Sequence, residues 1–192
     1  MKPTALFFGS FNPIHTGHLI IANYFLEYAD IAELWFVVSP QNPFKERDNL
    51  LADHHRYALV KLAIEDEPRF RVSDIEFKMP KPSYTIDTLT WLQEKYPDRE
   101  FTLIIGSDQL PSFHKWKNFE QILDYYQLYV YPRPKADNGE YSDHPKVKRF
   151  EAPLMDISSS FIRDALKQKK EVRYFLPPGV FDYIRDMHFY EK

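Results

Sequence analysis

A chain of 192 residues, 44% hydrophobic and 28% charged, is long enough to bury a substantial core and reads as one globular domain over residues 1–192. A net charge of −3 argues against a general nucleic-acid binder, and the lack of cysteine excludes disulfides and cysteine nucleophiles. No apolar stretch is long enough to span a bilayer and the N-terminus lacks a signal-peptide pattern, so a cytoplasmic protein without a membrane partner is expected.

In chain order, the apolar periodicity predicts a strand over Ala5 to Phe8, a helix over Leu19 to Tyr28, a strand over Leu34 to Val38, a helix over His54 to Glu65 and a strand over Phe70 to Val72. It continues with a helix over Ile86 to Glu94 capped by Thr85, a strand over Phe101 to Ile105, a helix over Phe119 to Leu123 and a strand over Leu128 to Val130. Tyr131 to Pro145, rich in prolines and polar residues, reads as an exposed loop. A serine-capped helix then follows Ser158-Ser159-Ser160, and Pro177-Pro178 start a last helix through Val180, Phe181 and Ile184. Such alternation implies an α/β fold, a doubly wound and mainly parallel sheet with helices on both faces.

In such a sheet ligands bind beyond the carboxyl ends of the strands, where strand order reverses. The residues there are small or acidic: Gly9-Ser10, Ser39-Pro40 and Gly106-Ser107-Asp108. The stretch Gly9-Ser10-Phe11-Asn12-Pro13-Ile14-His15-Thr16-Gly17-His18 is the most telling of them. Gly9 lets the backbone come close to a ligand, and the unpaired N–H groups of the helix opened by Gly17-His18 would face an anion flanked by two imidazoles. Zinc shared by the two histidines is disfavoured, because no cysteine and no adjacent third ligand is offered.

Two motifs here resemble those of the nucleotidyltransferase superfamily, whose members join a nucleoside monophosphate from a triphosphate to a phosphorylated acceptor. His15-Thr16-Gly17-His18 is similar to its H-x-G-H, and Ile157-Ser158-Ser159-Ser160-Phe161-Ile162-Arg163 to its I-S-S-T-x-I-R, with Ser160 in place of threonine. Pro82-Ser83-Tyr84-Thr85-Ile86-Asp87-Thr88-Leu89 and Ile104-Ile105-Gly106-Ser107-Asp108 with Trp116 narrow the resemblance to the bacterial nicotinate-nucleotide adenylyltransferases, over essentially the whole chain. The departure is Asn42-Pro43-Phe44-Lys45, where many members have P-P-H-K, so that Phe44 replaces a histidine.

The resemblance implies a Rossmann-like fold and attack by the phosphate of nicotinate mononucleotide (NaMN) on the α-phosphorus of ATP, giving deamido-NAD and pyrophosphate. A phosphomonoester with a second pKa of roughly 6 is mostly dianionic at neutral pH and needs no protein base. The protein must instead align two anions and supply positive potential or N–H donors where charge accumulates. On this pattern His15, His18 and Arg163 are the catalytic residues, with His18 stabilising the transition state. Gly9, Ser10, Phe11, Gly106, Asp108, Ser159 and Ser160 join them around ATP. The acceptor falls to Lys45, Tyr84, Thr85, Asp108 and Trp116, the tryptophan stacking on the pyridine. Mg2+ is expected as a bridge between ATP phosphates, with no metal ligands from the protein. A homo-oligomer is left open. The competing readings are an enzyme preferring nicotinamide mononucleotide, a nucleotide sensor without turnover, and a tRNA-synthetase fragment sharing the histidine signature.

Overall fold

The structure is a computed structural model in which residues 2–40, 50–134, 136 and 139–191 are described. Six strands, β1 (Thr4–Gly9), β2 (Glu33–Val38), β3 (Phe70–Ser73), β4 (Phe101–Gly106), β5 (Gln127–Tyr131) and β6 (Val147–Arg149), form one sheet in the order β3-β2-β1-β4-β5-β6. Every pair is parallel. This is the Rossmann strand order, with the reversal between β1 and β4.

The helices are α1 (Thr16–Tyr28), α2 (Asp53–Ala63), α3 (Thr85–Lys95), α4 (Phe119–Tyr125), α5 (Ser159–Lys167) and α6 (Pro178–Asp186). Side chains alternate between the faces of a strand, so each strand feeds two cores. Ala5, Phe7, Leu34, Phe36 and Ile104 pack with residues of α1, α2, α5 and α6. Leu6, Trp35, Val37, Leu103 and Ile105 pack with residues of α3 and α4 on the other side. Both faces are thus covered, which is why β2 over residues 34–38 and β4 over residues 103–105 read as unbroken apolar runs.

The predicted elements are present, with shifted ends. Helix α1 starts at Thr16, so His15 is its N-cap and His18 stands in its first turn. The α3 N-cap is Tyr84 and not Thr85, which is already the first helical residue. Serine does cap α5: Ser158 accepts from the Phe161 N–H. The loop expected from Tyr131 begins later, since Tyr131 closes β5 and pairs with Gly106. Strand β6, just past the predicted loop, was not foreseen, and neither were three 3-10 turns, Ile75–Lys78, Ser107–Lys115 and Arg173–Phe175. Strand β6 and the two shorter turns are too short to show an apolar period, and the longer turn carries Pro111.

Candidate active site

Two clefts meet at the carboxyl end of β1. The first, about 370 Å3, lies between the β1–α1 turn and the start of α5 and is lined by Asn12, His15, His18, Ser159, Ser160 and Arg163 among others. The second, about 280 Å3, runs toward the start of α3 and is lined by Ser39, Glu76, Tyr84, Thr85 and Trp116. Phe8, Gly9, Ser10, Asp108 and Gln109 line both, so two ligands would touch across the point where strand order reverses.

The histidine turn and the late serine–arginine motif are in direct contact. Ser159 donates its hydroxyl to the Pro13 carbonyl at 2.9 Å. Arg163 donates from one guanidinium nitrogen to the Asn12 carbonyl at 2.8 Å and from another to the Ser160 hydroxyl at 3.1 Å. Among the described residues it makes no ion pair with Asp164 beside it or with Glu171. Asn12 gathers further elements, because its side-chain oxygen accepts from the Leu51 N–H at 3.1 Å and from the Tyr190 hydroxyl at 2.7 Å. Burial pushes the Tyr190 phenol up from its ordinary value, which keeps its proton in place for that bond.

The imidazoles of His15 and His18 stack with ring centres 3.8 Å apart. The His15 N–H donates to His18 Nδ1 at 3.2 Å, and neutral His18 therefore carries its proton on Nε2 as a donor. His15 is only 4% exposed, and its Nδ1 is buried with no hydrogen-bond partner. Burial, reinforced by the Arg133 guanidinium, holds this imidazole down at about 4. At neutral pH His15 is therefore an uncharged group, and the guanidinium groups of Arg163 and Arg133 bring positive charge to this cleft.

The depressed value has a consequence for stability. The unfolded chain takes up a proton on His15 as pH falls below about 6.5, while the folded chain does so only near 4, so stability is lost across that window. Between pH 7 and 4.5 the loss from this group is roughly 2–3 kcal/mol. Denaturant unfolding at both pH values will show it as a larger acid destabilisation in the wild type than in His15→Asn. Superimposable profiles would mean that His15 titrates normally.

Several residues unnoticed in the sequence build the same region. Arg133, assigned to an exposed loop, lines the first cleft. Its N–H donates to the Ser107 hydroxyl at 2.9 Å, its guanidinium to the Met155 carbonyl at 3.2 Å, and its Nε stands 3.9 Å from Asp108. A basic residue two positions beyond an apolar strand was the available signal. Arg56 is fully buried in α2 and donates to the carbonyls of Leu51 at 2.9 Å, Ser10 at 2.5 Å and Ser39 at 2.8 Å, and to the Asp53 carboxylate at 2.6 Å. It ties the ends of β1 and β2 together. Because a trans peptide is planar with C=O and N–H opposed, anchoring the Ser10 carbonyl turns the Phe11 N–H away from Arg56.

The glycines serve differently from expectation. A Cβ at Gly9 would lie 2.8 Å from the Phe11 ring, so glycine there makes room for protein as well as for ligand. Gly106 lines neither cleft; a Cβ there would collide with the Asp108 carboxylate and crowd Arg133, so glycine admits both side chains. Trp116 lines the second cleft and packs on Phe113, and Lys117 sits 4.9 Å over the Tyr84 ring while pairing with Asp87 at 2.8 Å. Lys45 and Phe44 lie outside the described residues. Among the described residues no helix is long and apolar enough to cross a membrane.

Residues 6–165 match the model of the cytidylyltransferase-like family. A protein of Flavobacterium psychrophilum named "Probable nicotinate-nucleotide adenylyltransferase" is 51% identical over 189 residues, 97% of this chain and 98% of its own length. One of the same name from Cytophaga hutchinsonii is 52% identical over 187 residues, 97% of each chain. The fold is that of Plasmodium falciparum nicotinic acid mononucleotide adenylyltransferase complexed with NaAD, at a TM-score of 0.85 and 22% identity, covering 100% of this chain and 98% of that one.

Proposed function

The chain belongs to the cytidylyltransferase-like family, and from that membership and its curated relatives we infer that it is a nicotinate-nucleotide adenylyltransferase. It transfers the adenylyl group of ATP to nicotinate mononucleotide, releasing deamido-NAD and pyrophosphate, a step of NAD biosynthesis. The observation that carries the chemistry is the shared wall of Phe8, Gly9, Ser10, Asp108 and Gln109, which lets an α-phosphorus in one cleft meet an acceptor phosphate from the other.

In this reading one domain over residues 1–192 holds the whole site, supported by the contact of its two motifs. ATP occupies the first cleft, with His18 and Arg163 on its phosphates, Ser10 and the Phe11 N–H beside the reacting centre, and Asp108 accepting from a ribose hydroxyl. Ser159 and Ser160 contribute mainly through the backbone of the α5 start, since their hydroxyls serve Pro13 and Arg163. NaMN fills the second cleft, its pyridine against Trp116 and its carboxylate toward the N–H groups at Thr85. Lys45 is retained as a phosphate contact.

Mg2+ carried on the ATP phosphates would offset the charge of the two approaching anions. The donors lining the first cleft, imidazoles, hydroxyls and the single carboxylate of Asp108, fit a cation brought in by the nucleotide more than a preformed cage. The cytoplasm is the fitting compartment for a step that consumes ATP.

Pyrophosphate release from ATP with NaMN and with nicotinamide mononucleotide tests the reading. A higher kcat/KM for the acid is expected, and an equal or reversed preference would refute the acceptor assignment. Trp116→Ala should raise KM for NaMN selectively, by about tenfold for a lost stacking contact of 1–1.5 kcal/mol. Equal losses for ATP and NaMN would make Trp116 a packing residue.

A further inference from the structure

The second cleft contains a buried carboxylate that the reaction does not consume. Glu76, in the 3-10 turn after β3, is 2% exposed and lines the cleft beside Ser83, Tyr84 and Thr85. One of its oxygens accepts from the Ser83 hydroxyl at 2.7 Å and the other from Thr88 at 2.7 Å. Ser83 precedes the α3 N-cap, and Thr88 lies one turn into the helix and is fully buried. Burial pushes the Glu76 carboxyl up, and the hydroxyls of Thr88, Ser83 and Ser39 oppose that rise by donating to it.

We propose that Glu76 is the positioning residue of the acceptor cleft, holding the start of α3 through Ser83 and Thr88 at the height where its N–H groups meet the pyridine carboxylate of NaMN. The proposal rests on the adenylyl-transfer reading above. A buried carboxylate persists only where donors saturate it, and here the donors belong to the segment that forms the cleft wall. The opposite wall is joined to the same helix by the pair of Lys117 with Asp87. Ser39 adds a link to the first cleft, since Arg56 holds its carbonyl while its hydroxyl serves Glu76. Of the P-S-Y-T-x-x-T-L element, Ser83 and Thr88 thus act on the protein, leaving Tyr84 and Thr85 on the cleft surface.

The test uses Glu76→Gln, Thr88→Val and Thr88→Ser, with initial rates for both substrates and quenching of tryptophan fluorescence by NaMN as a readout independent of turnover. Thr88→Val keeps the shape and removes one donor. Glu76→Gln and Thr88→Val are expected to raise KM and the NaMN dissociation constant about tenfold, with KM for ATP within about twofold of wild type. Thr88→Ser keeps the hydroxyl and should restore NaMN binding. A parallel rise in both KM values, or a lower melting temperature with unchanged NaMN binding, would overturn the proposal. Absence of pyrophosphate release by the wild type would instead refute the enzymatic reading.

Discussion

Replacing His18 by alanine is expected to lower kcat by at least about 10²-fold, with KM for ATP and NaMN little changed, as for the loss of other donors aimed at developing negative charge. The expectation comes from the tautomer. His18 Nδ1 accepts from the His15 backbone, so the neutral ring offers its proton at Nε2 into the first cleft, where the proposed reaction builds charge on the α-phosphate and the departing pyrophosphate. Stacking on His15 and the position in the first turn of α1 keep the ring from wandering, so no binding energy is spent on ordering it. Steady-state kinetics on purified variants give the answer. An unchanged kcat, or a loss confined to KM, would remove His18 from the transition state.

The largest effect on stability is expected at Arg56. Arg56→Met should destabilise the fold by about 3–5 kcal/mol, because it strips the donor from the buried carbonyls of Ser10, Ser39 and Leu51 and leaves Asp53 only Lys81. Arg56→Lys keeps the charge, but an ammonium cannot span carbonyls that a planar guanidinium reaches from separate nitrogens, so it should recover less than half of the loss. Denaturant midpoints at constant slope measure both. A loss below about 1 kcal/mol for Arg56→Met would mean that water substitutes for the guanidinium.

The strands β1, β2, β4 and β5 were legible because parallel strands buried on both faces carry short apolar runs bounded by polar or small residues. Strand β6 was hidden for the converse reason: Val147-Lys148-Arg149 lies at the sheet edge with charge exposed, and its composition is that of a loop. The two phosphate motifs could be found because small residues and imidazoles at tight spacing have few other uses. Arg56 and Glu76 could not. Each stands among charged neighbours in sequence, and only the tertiary fold takes the one polar side chain inside and aims main-chain carbonyls or hydroxyls at it. Arg133 and Tyr190 were missed because their partners lie on other elements, 22 residues away at Met155 and 178 at Asn12.

The bond from Tyr190 to Asn12 also sets an order of events in time. With the two 178 positions apart and synthesis at about 5–20 residues per second, roughly ten to thirty-five seconds pass before the second partner exists. During that interval a nascent chain can assemble β1 to β5 and the helices between them, yet the β1–α1 turn still lacks one of its restraints. A chain arrested between Arg163 and residue 190 holds Asn12 through Leu51 and Arg163 but lacks the third anchor that the Tyr190 hydroxyl brings.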